Sequence, residues 1–142
     1  MVVDDAWSAS ASPEDDLAFL LVHQPGTKAS VQSFTGGERL GFGQLPRQLV
    51  RVTGYPDNAG APISCLNEAT PFGAVQLEFD CDGFAAGTSG SALLADVSPV
   101  TGLGTVLGII GGYQQGGYTA SVSYADRVGA VVAALYKRAT GR

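Results

Sequence analysis

The sequence predicts an all-β fold closed by one C-terminal helix, and three observations carry that reading. Twenty glycines and few strong helix formers among 142 residues favour short strands joined by tight turns. Strand-like segments recur at short, regular intervals through the middle of the chain, a spacing that favours a barrel or sandwich. Near the end the apolar period switches from two to helical spacing. Length alone suggests a single domain with a real core.

The elements follow in order. Val2 and Val3 form or end a strand, and Ser8 to Asp16 reads as a polar loop containing Pro13. Leu17 to Val22 is a continuous apolar run bounded by turn signals, so a fully buried strand is favoured over a helix. Gln24-Pro25-Gly26 ends it. Residues 28–44 form a connection with short strands, broken at Gly36-Gly37, Gly41 and Gly43. Gln48 to Pro56 alternates apolar and polar residues before a turn at Asp57-Asn58-Ala59-Gly60. Further strands are predicted over 63–67, 74–79, 91–95, 105–110 and 119–122. Val128, Val131, Val132 and Leu135 then share one helical face; Ser123 with Asp126 resembles a capping box, and Lys137 and Arg138 suit the negative end of the dipole.

Composition excludes several function classes. With 45% hydrophobic and 15% charged residues, the chain is no disordered acidic tail. A net charge of −5 without a Lys/Arg cluster argues against nucleic-acid partners. No apolar run is long enough to span a bilayer, so no membrane partner is expected. Two cysteines, Cys65 and Cys81, and one histidine leave nothing for a zinc site, and no metal or cofactor is expected. The cysteines allow two readings: a bridge, which implies an oxidising compartment, or two buried thiols. Met1 to Asp5 has no basic region, apolar core or cleavage site. Either the protein is not secreted or its front is missing.

The chemistry-bearing segment is Gly87-Thr88-Ser89-Gly90-Ser91-Ala92-Leu93-Leu94. A serine between glycines, followed directly by an apolar strand, presents a hydroxyl on a tight turn. Without a Cβ, residue 87 lets its N–H approach a substrate carbonyl, and with the Ser89 N–H it makes a two-donor oxyanion hole. Alone, the pattern is weak, because small-residue turns of this kind are common. Asp16, at the mouth of the apolar run, alone reads as a loop carboxylate.

Taken together, these segments resemble the trypsin-like (chymotrypsin-fold) serine proteases. Asp16-Leu17-Ala18 looks like the acid motif and Gly87-Thr88-Ser89-Gly90-Ser91 like the nucleophile motif. Gly54-Tyr55-Pro56 is similar to the opening of the second barrel in bacterial members. Gly108-Ile109-Ile110-Gly111-Gly112-Tyr113 resembles the strand that pairs with the substrate backbone, and the closing helix fits as well. The resemblance runs from about residue 2 to about residue 138.

It implies a chymotrypsin-like double β-barrel, with residues 1–44 a remnant of the N-terminal barrel and connection, and 45–142 the complete C-terminal barrel and helix. It makes Ser89 the nucleophile and Asp16 the carboxylate that orients a histidine, with Gly87 and Ser89 supplying the oxyanion amides. The implied substrate is a polypeptide, and the implied location is outside the cell. Asp82, Gly83, Phe84 and Ala86 would line the specificity pocket, with Gly111, Gly112 and Tyr113 opposite, and a Cys65–Cys81 bridge would brace its wall. Asp80 and Asp82 read either as selecting a basic side chain or as solvated turn residues.

Two departures matter. In that family the histidine precedes the aspartate, whereas the single histidine, His23, follows Asp16 by seven residues, roughly 20 Å of extended chain. The expectation is an N-terminally truncated, inactive chain, with a pseudoprotease that binds peptides or scaffolds partners as the alternative. The oligomeric state is not legible. Thr88 replaces the aspartate that many animal relatives use for activation, which points to bacterial secreted relatives and to local hydrogen bonds holding the turn. An exposed 17–22 strand predicts aggregation.

Overall fold

The computed structural model describes residues 1–57 and 59–141, so the turn expected at 57–60 includes one residue, Asn58, outside the described set. The chain starts with β1 (Val2–Val3), antiparallel to β2 (Ala18–Phe19), with α1 (Asp5–Ser10) between them. The polar loop expected from Ser8 is thus partly helical. Asp4 caps α1 by accepting the Ala6 N–H at 2.8 Å, and Asp5 sits in the first turn, where the dipole favours a carboxylate. After β2 come α2 (Gln32–Thr35) and β3 (Arg39–Leu40).

Six strands then close a barrel: β4 (Gln48–Gly54), β5 (Ile63–Phe72), β6 (Gln76–Asp80), β7 (Ala92–Ala95), β8 (Thr105–Ile110) and β9 (Val122–Arg127). Around the ring the order is β8-β7-β4-β5-β6-β9, and the pairing of Gly108–Ile110 with Ala125–Arg127 returns β9 to β8. The barrel neighbours pair antiparallel, while β3 adds a short parallel strand to β8. The register of β7 on β8 shifts between Leu93 and Leu94, a bulge that leaves Leu107 of β8 as the extra residue. Closure removes sheet edges that would otherwise need covering.

Alternation on these strands fills the barrel. Val50, Val52, Ala69, Leu77, Phe79, Leu93 and Ala125 are wholly buried. Each large side chain among them contributes about 1.5–3 kcal/mol by leaving water. Phe79 meets Phe84 edge to face at 5.8 Å, carrying the core to the loop before β7. Cys65 and Cys81 are bridged, with Cα atoms 6.4 Å apart, and pack on this core.

Three further expectations change. The run at 17–22 is not a buried strand: only Ala18–Phe19 pairs, and Leu20, Leu21 and Val22 are about two-thirds exposed. Among the described residues only β1 pairs with it, and a strand buried on both faces needs sheet neighbours and a cover. Phe19 does find a partner, packing edge-on against Tyr136 at 5.6 Å.

The other two changes are linked. The last strand is not 119–122 but β9, and Ser123 and Asp126 are buried within it instead of capping a helix. Pairing with β6 from Gln76↔Asp126 to Asp80↔Val122 overrides the local capping signal. The helix α3 (Ala130–Thr140) starts after Gly129 with no side-chain cap; Val132 and Leu135 are buried, and Lys137 and Arg138 fall in its last turn.

Candidate active site

The loop from Cys81 to Ser91 is held tightly where it turns into β7. The Thr88 hydroxyl and N–H both donate to the Ala85 carbonyl, at 2.8 and 3.2 Å, and Ser91 N–H donates to the Thr88 carbonyl at 3.1 Å. The turn is also tied to β8, with Gly90 N–H on the Ile110 carbonyl at 2.8 Å and Ile110 N–H on the Ser91 carbonyl at 2.9 Å. On the other side Asp57 N–H donates to the Ala86 carbonyl at 2.6 Å. These bonds leave Ser89 exposed at the apex.

Gly87 is required there on two counts. Its φ is +95°, and a Cβ would lie 2.6 Å from Asp57 N and 2.8 Å from the Tyr55 carbonyl oxygen. Among the described residues, the amides of Gly87 and Ser89 donate to no protein acceptor.

Asp16 arrives from the opposite end of the sequence. Its Oδ2 accepts the Gly112 N–H at 3.2 Å, and the Gly111 α-carbon faces the same oxygen closely, a Cβ there lying 3.4 Å away. A cavity of about 740 Å³ is lined by Asp16, Leu17 and Ala18 on one side and by Ser89 and Gly90 on the other. Ile109, Ile110 and Gly111 lie between, with Met1, Val3, Trp7 and Gln115 completing the wall. Asp16 and Ser89 therefore line one cavity, with the end of β8 between them.

A second cavity, about 440 Å³, is also lined by Ser89. Its walls are Phe84 to Ser89 and the segment Gln114 to Ala120, with Ile110 shared by both cavities. Gln114 and Gln115 are consecutive left-handed residues, at φ 52° and 57°. Such backbone is costly for L-residues and tends to collect at functional sites.

Phe84 and Ala86 line the second cavity and Gly111 the first. Asp82 and Gly83 line neither, and Asp80 and Asp82 are exposed, so their charges are solvated. Gly112 is buried beneath Pro13, while Tyr113 packs against Phe72 and Tyr124 at 5.0 and 4.9 Å and lines a separate hollow. His23 is exposed and lines neither cavity.

Sequence reasoning missed the wall from Gln114 to Ala120, whose signal was the glycine pairs Gly111-Gly112 and Gly116-Gly117 bracketing a polar stretch. It also missed the placement of Asp126, buried behind Asp16. Burial, and then the charge of Asp16, push the Asp126 carboxyl up to about 7, against the opposing hydrogen bond from Gln76.

No family model matches the sequence, and no curated protein matches it either. Among solved structures the chain is similar to the thermostable serine protease AL20 from an extremophilic microorganism, at 25% identity and a TM-score of 0.78. It is also similar to the protease Anisep from Arthrobacter nicotinovorans, at 19% identity and a TM-score of 0.77. Each match covers 99% of this chain and 65% of the other, so the chain spans just under two thirds of either protease.

Proposed function

We propose that this chain, which has the fold of the trypsin-like serine proteases, carries the nucleophile and acid of a serine endopeptidase site and lacks its base. The observation that supports this best is the shared cavity of Asp16 and Ser89, residues far apart in sequence and joined across Ile110 and Gly111. In this reading Ser89 Oγ attacks the scissile carbonyl carbon, and the oxyanion that forms is met by the Gly87 and Ser89 amides. Collapse breaks the C–N bond, leaves an acyl ester on Ser89 and passes the hydroxyl proton to the departing amine. That proton needs an imidazole as carrier, which Asp16 would orient. The cavity receives none from this chain, because the sole histidine lies elsewhere.

The chain by itself is therefore a very poor hydrolase. A cavity that no histidine of this chain lines equally favours a second reading, a pseudoprotease that binds peptides without cutting them. In both, the substrate or ligand is a polypeptide. Among the described residues the walls of the second cavity hold no carboxylate, which favours an uncharged side chain there over a basic one. The bridged cysteines support an oxidising compartment, consistent with a bacterial secreted protein.

A peptide boronic acid tests the assignment. Boron accepts the Ser89 Oγ lone pair, the hydroxyl proton leaves to solvent, and the tetrahedral boronate occupies the oxyanion position. Boron NMR is expected to show a tetrahedral adduct that Ser89→Ala abolishes. An adduct unchanged in that variant refutes the role of Ser89. Fluorogenic peptides are expected to show no Ser89-dependent turnover, and robust hydrolysis overturns the missing-base reading.

A further inference from the structure

Asp126 is a charge-capable side chain in an interior position that the proposed chemistry does not use. It lies on β9, opposite Gln76 of β6 and Ile109 of β8, and is 1% exposed. Its Oδ1 accepts from Gln76 Nε2, which also donates to the Pro13 carbonyl at 2.9 Å. Its Oδ2 is buried and has no hydrogen-bond partner among the described residues.

Among the described residues the surroundings offer this carboxyl no countercharge. The N-terminal segment brings Asp15 and Asp16, and β6 brings only the neutral amide of Gln76. From β8 comes Ile109, and from the turn after it the backbone of Gly112. Arg127, next on β9, sends its guanidinium away to the Gln44 carbonyl at 3.0 Å. Burial and the charges of Asp16 and Asp15 outweigh the hydrogen bonds from Gln76 and from the Asp16 backbone, which favour the carboxylate, so the protonated acid is the favoured form.

The same few atoms hold Asp16. Gly112 donates its N–H to Asp16 Oδ2 at 3.2 Å. Its α-carbon lies so close to the cluster that a Cβ would stand 2.6 Å from Gln76 Nε2 and 2.9 Å from Asp126 Oδ1, and would also collide with the Pro13 carbonyl. We propose that Asp126 and Gln76 form a proton-dependent latch that fastens the Pro13–Asp16 segment to β9, with Asp126 a positioning residue for the Asp16 carboxylate. While Asp126 holds its proton, Asp16 carries charge into the cleft from a fixed backbone. When Asp126 ionises, a further negative charge appears beside Asp15 and Asp16 in a dry site, and the segment loosens to admit water.

The direction with pH follows. Burial and the Asp16 charge raise the folded value to about 7, above the ordinary carboxylate value near 3.8. The latch is thus at full strength below the ordinary value and is lost as pH rises through about 7. This is opposite to a salt-bridged aspartate, which loses its contribution as pH falls.

The latch depends on the proposed function only for the meaning of Asp16, since it does not require Ser89 to react. The test is amide hydrogen exchange of residues 13–18 in the full chain between pH 5 and 8, corrected for the intrinsic rate. In the unmodified protein, protection is expected to fall with rising pH, by at most about tenfold per unit, levelling off above the folded value. Asp126→Asn, neutral at every pH, is expected to keep the segment protected at pH 8 as at pH 5. If that variant loses protection at both ends, or keeps the pH dependence of the parent, the latch is refuted. Should it fail to fold, carbon NMR of the side-chain carboxyls in the unmodified protein decides. One carboxyl titrating near 7 supports the latch, and only ordinary acidic midpoints refute it. If boronate capture fails while Asp126 still titrates high, only the protease reading falls.

Discussion

Replacing Gly87 by alanine separates two demands that the nucleophile turn makes on its backbone. The first is conformational: φ is +95°, beyond the small left-handed well open to L-residues, and such backbone costs about 1–2 kcal/mol. The second is space. The new methyl group would stand 2.6 Å from Asp57 N and 2.8 Å from the Tyr55 carbonyl oxygen, and would clash with the Asp57 carboxylate too. Two of those atoms are backbone, and Asp57 is tied back to Ala86 by a 2.6 Å hydrogen bond, so the strand end must move as a piece. Overpacking of this kind adds about 1–3 kcal/mol. Together they give a loss of about 2–5 kcal/mol, roughly 6–15 °C in melting temperature for a chain of this size. Gly90→Ala is the control, because its φ is +86° but nothing lies within 4 Å of the added Cβ. It pays only the conformational part, about 1–2 kcal/mol. Thermal unfolding followed by circular dichroism measures both variants. If Gly87→Ala melts no lower than Gly90→Ala, the close approach of the Tyr55–Asp57 strand end to the turn is not real, and the oxyanion geometry built on it goes too.

Further predictions concern the core, the bridge and the exposed run. Phe79→Ala, at a wholly buried site touching Phe84, should cost about 3–5 kcal/mol and lower the urea midpoint accordingly. An unchanged midpoint would contradict the packing. Replacing Cys65 and Cys81 together by alanine opens a loop of sequence separation 16 and should cost about 3 kcal/mol, read in the same assay. Changing Leu20, Leu21 and Val22 to serine should reduce concentration-dependent association in sedimentation velocity while leaving the melting temperature in place, because these side chains are already exposed. A large fall in melting temperature would show that they are buried after all.

Much of the barrel was legible because alternation and turn chemistry are local. The strand at 105–110 has the predicted limits, and β4 lies within the predicted stretch, since Val50 and Val52 alternate with exposed Arg51 and Thr53 and Gly54 ends the run. The glycine-flanked serine was equally visible, because a positive φ at residues 87 and 90 leaves a mark in the sequence. What failed was local chemistry that pairing overruled. Ser123 and Asp126 look like a helix cap in isolation, yet strand β6 supplied partners for the whole stretch. Apolar composition likewise marked Leu20 to Val22 as core, although composition cannot say whether a covering element exists.

By itself the sequence determined most of the barrel strands, the closing helix and the two glycines beside Ser89, all of which rest on residue type and short-range sterics. Only the tertiary structure decided that Asp16 shares a cavity with Ser89, that Gln114 to Ala120 wall the neighbouring one, and that Asp126 is sealed behind Asp16. Those facts depend on contacts between segments distant along the chain, such as Asp16 with Gly112 and Gln76 with Pro13. Burial and charge proximity are properties of those contacts, and neither is carried by any one segment.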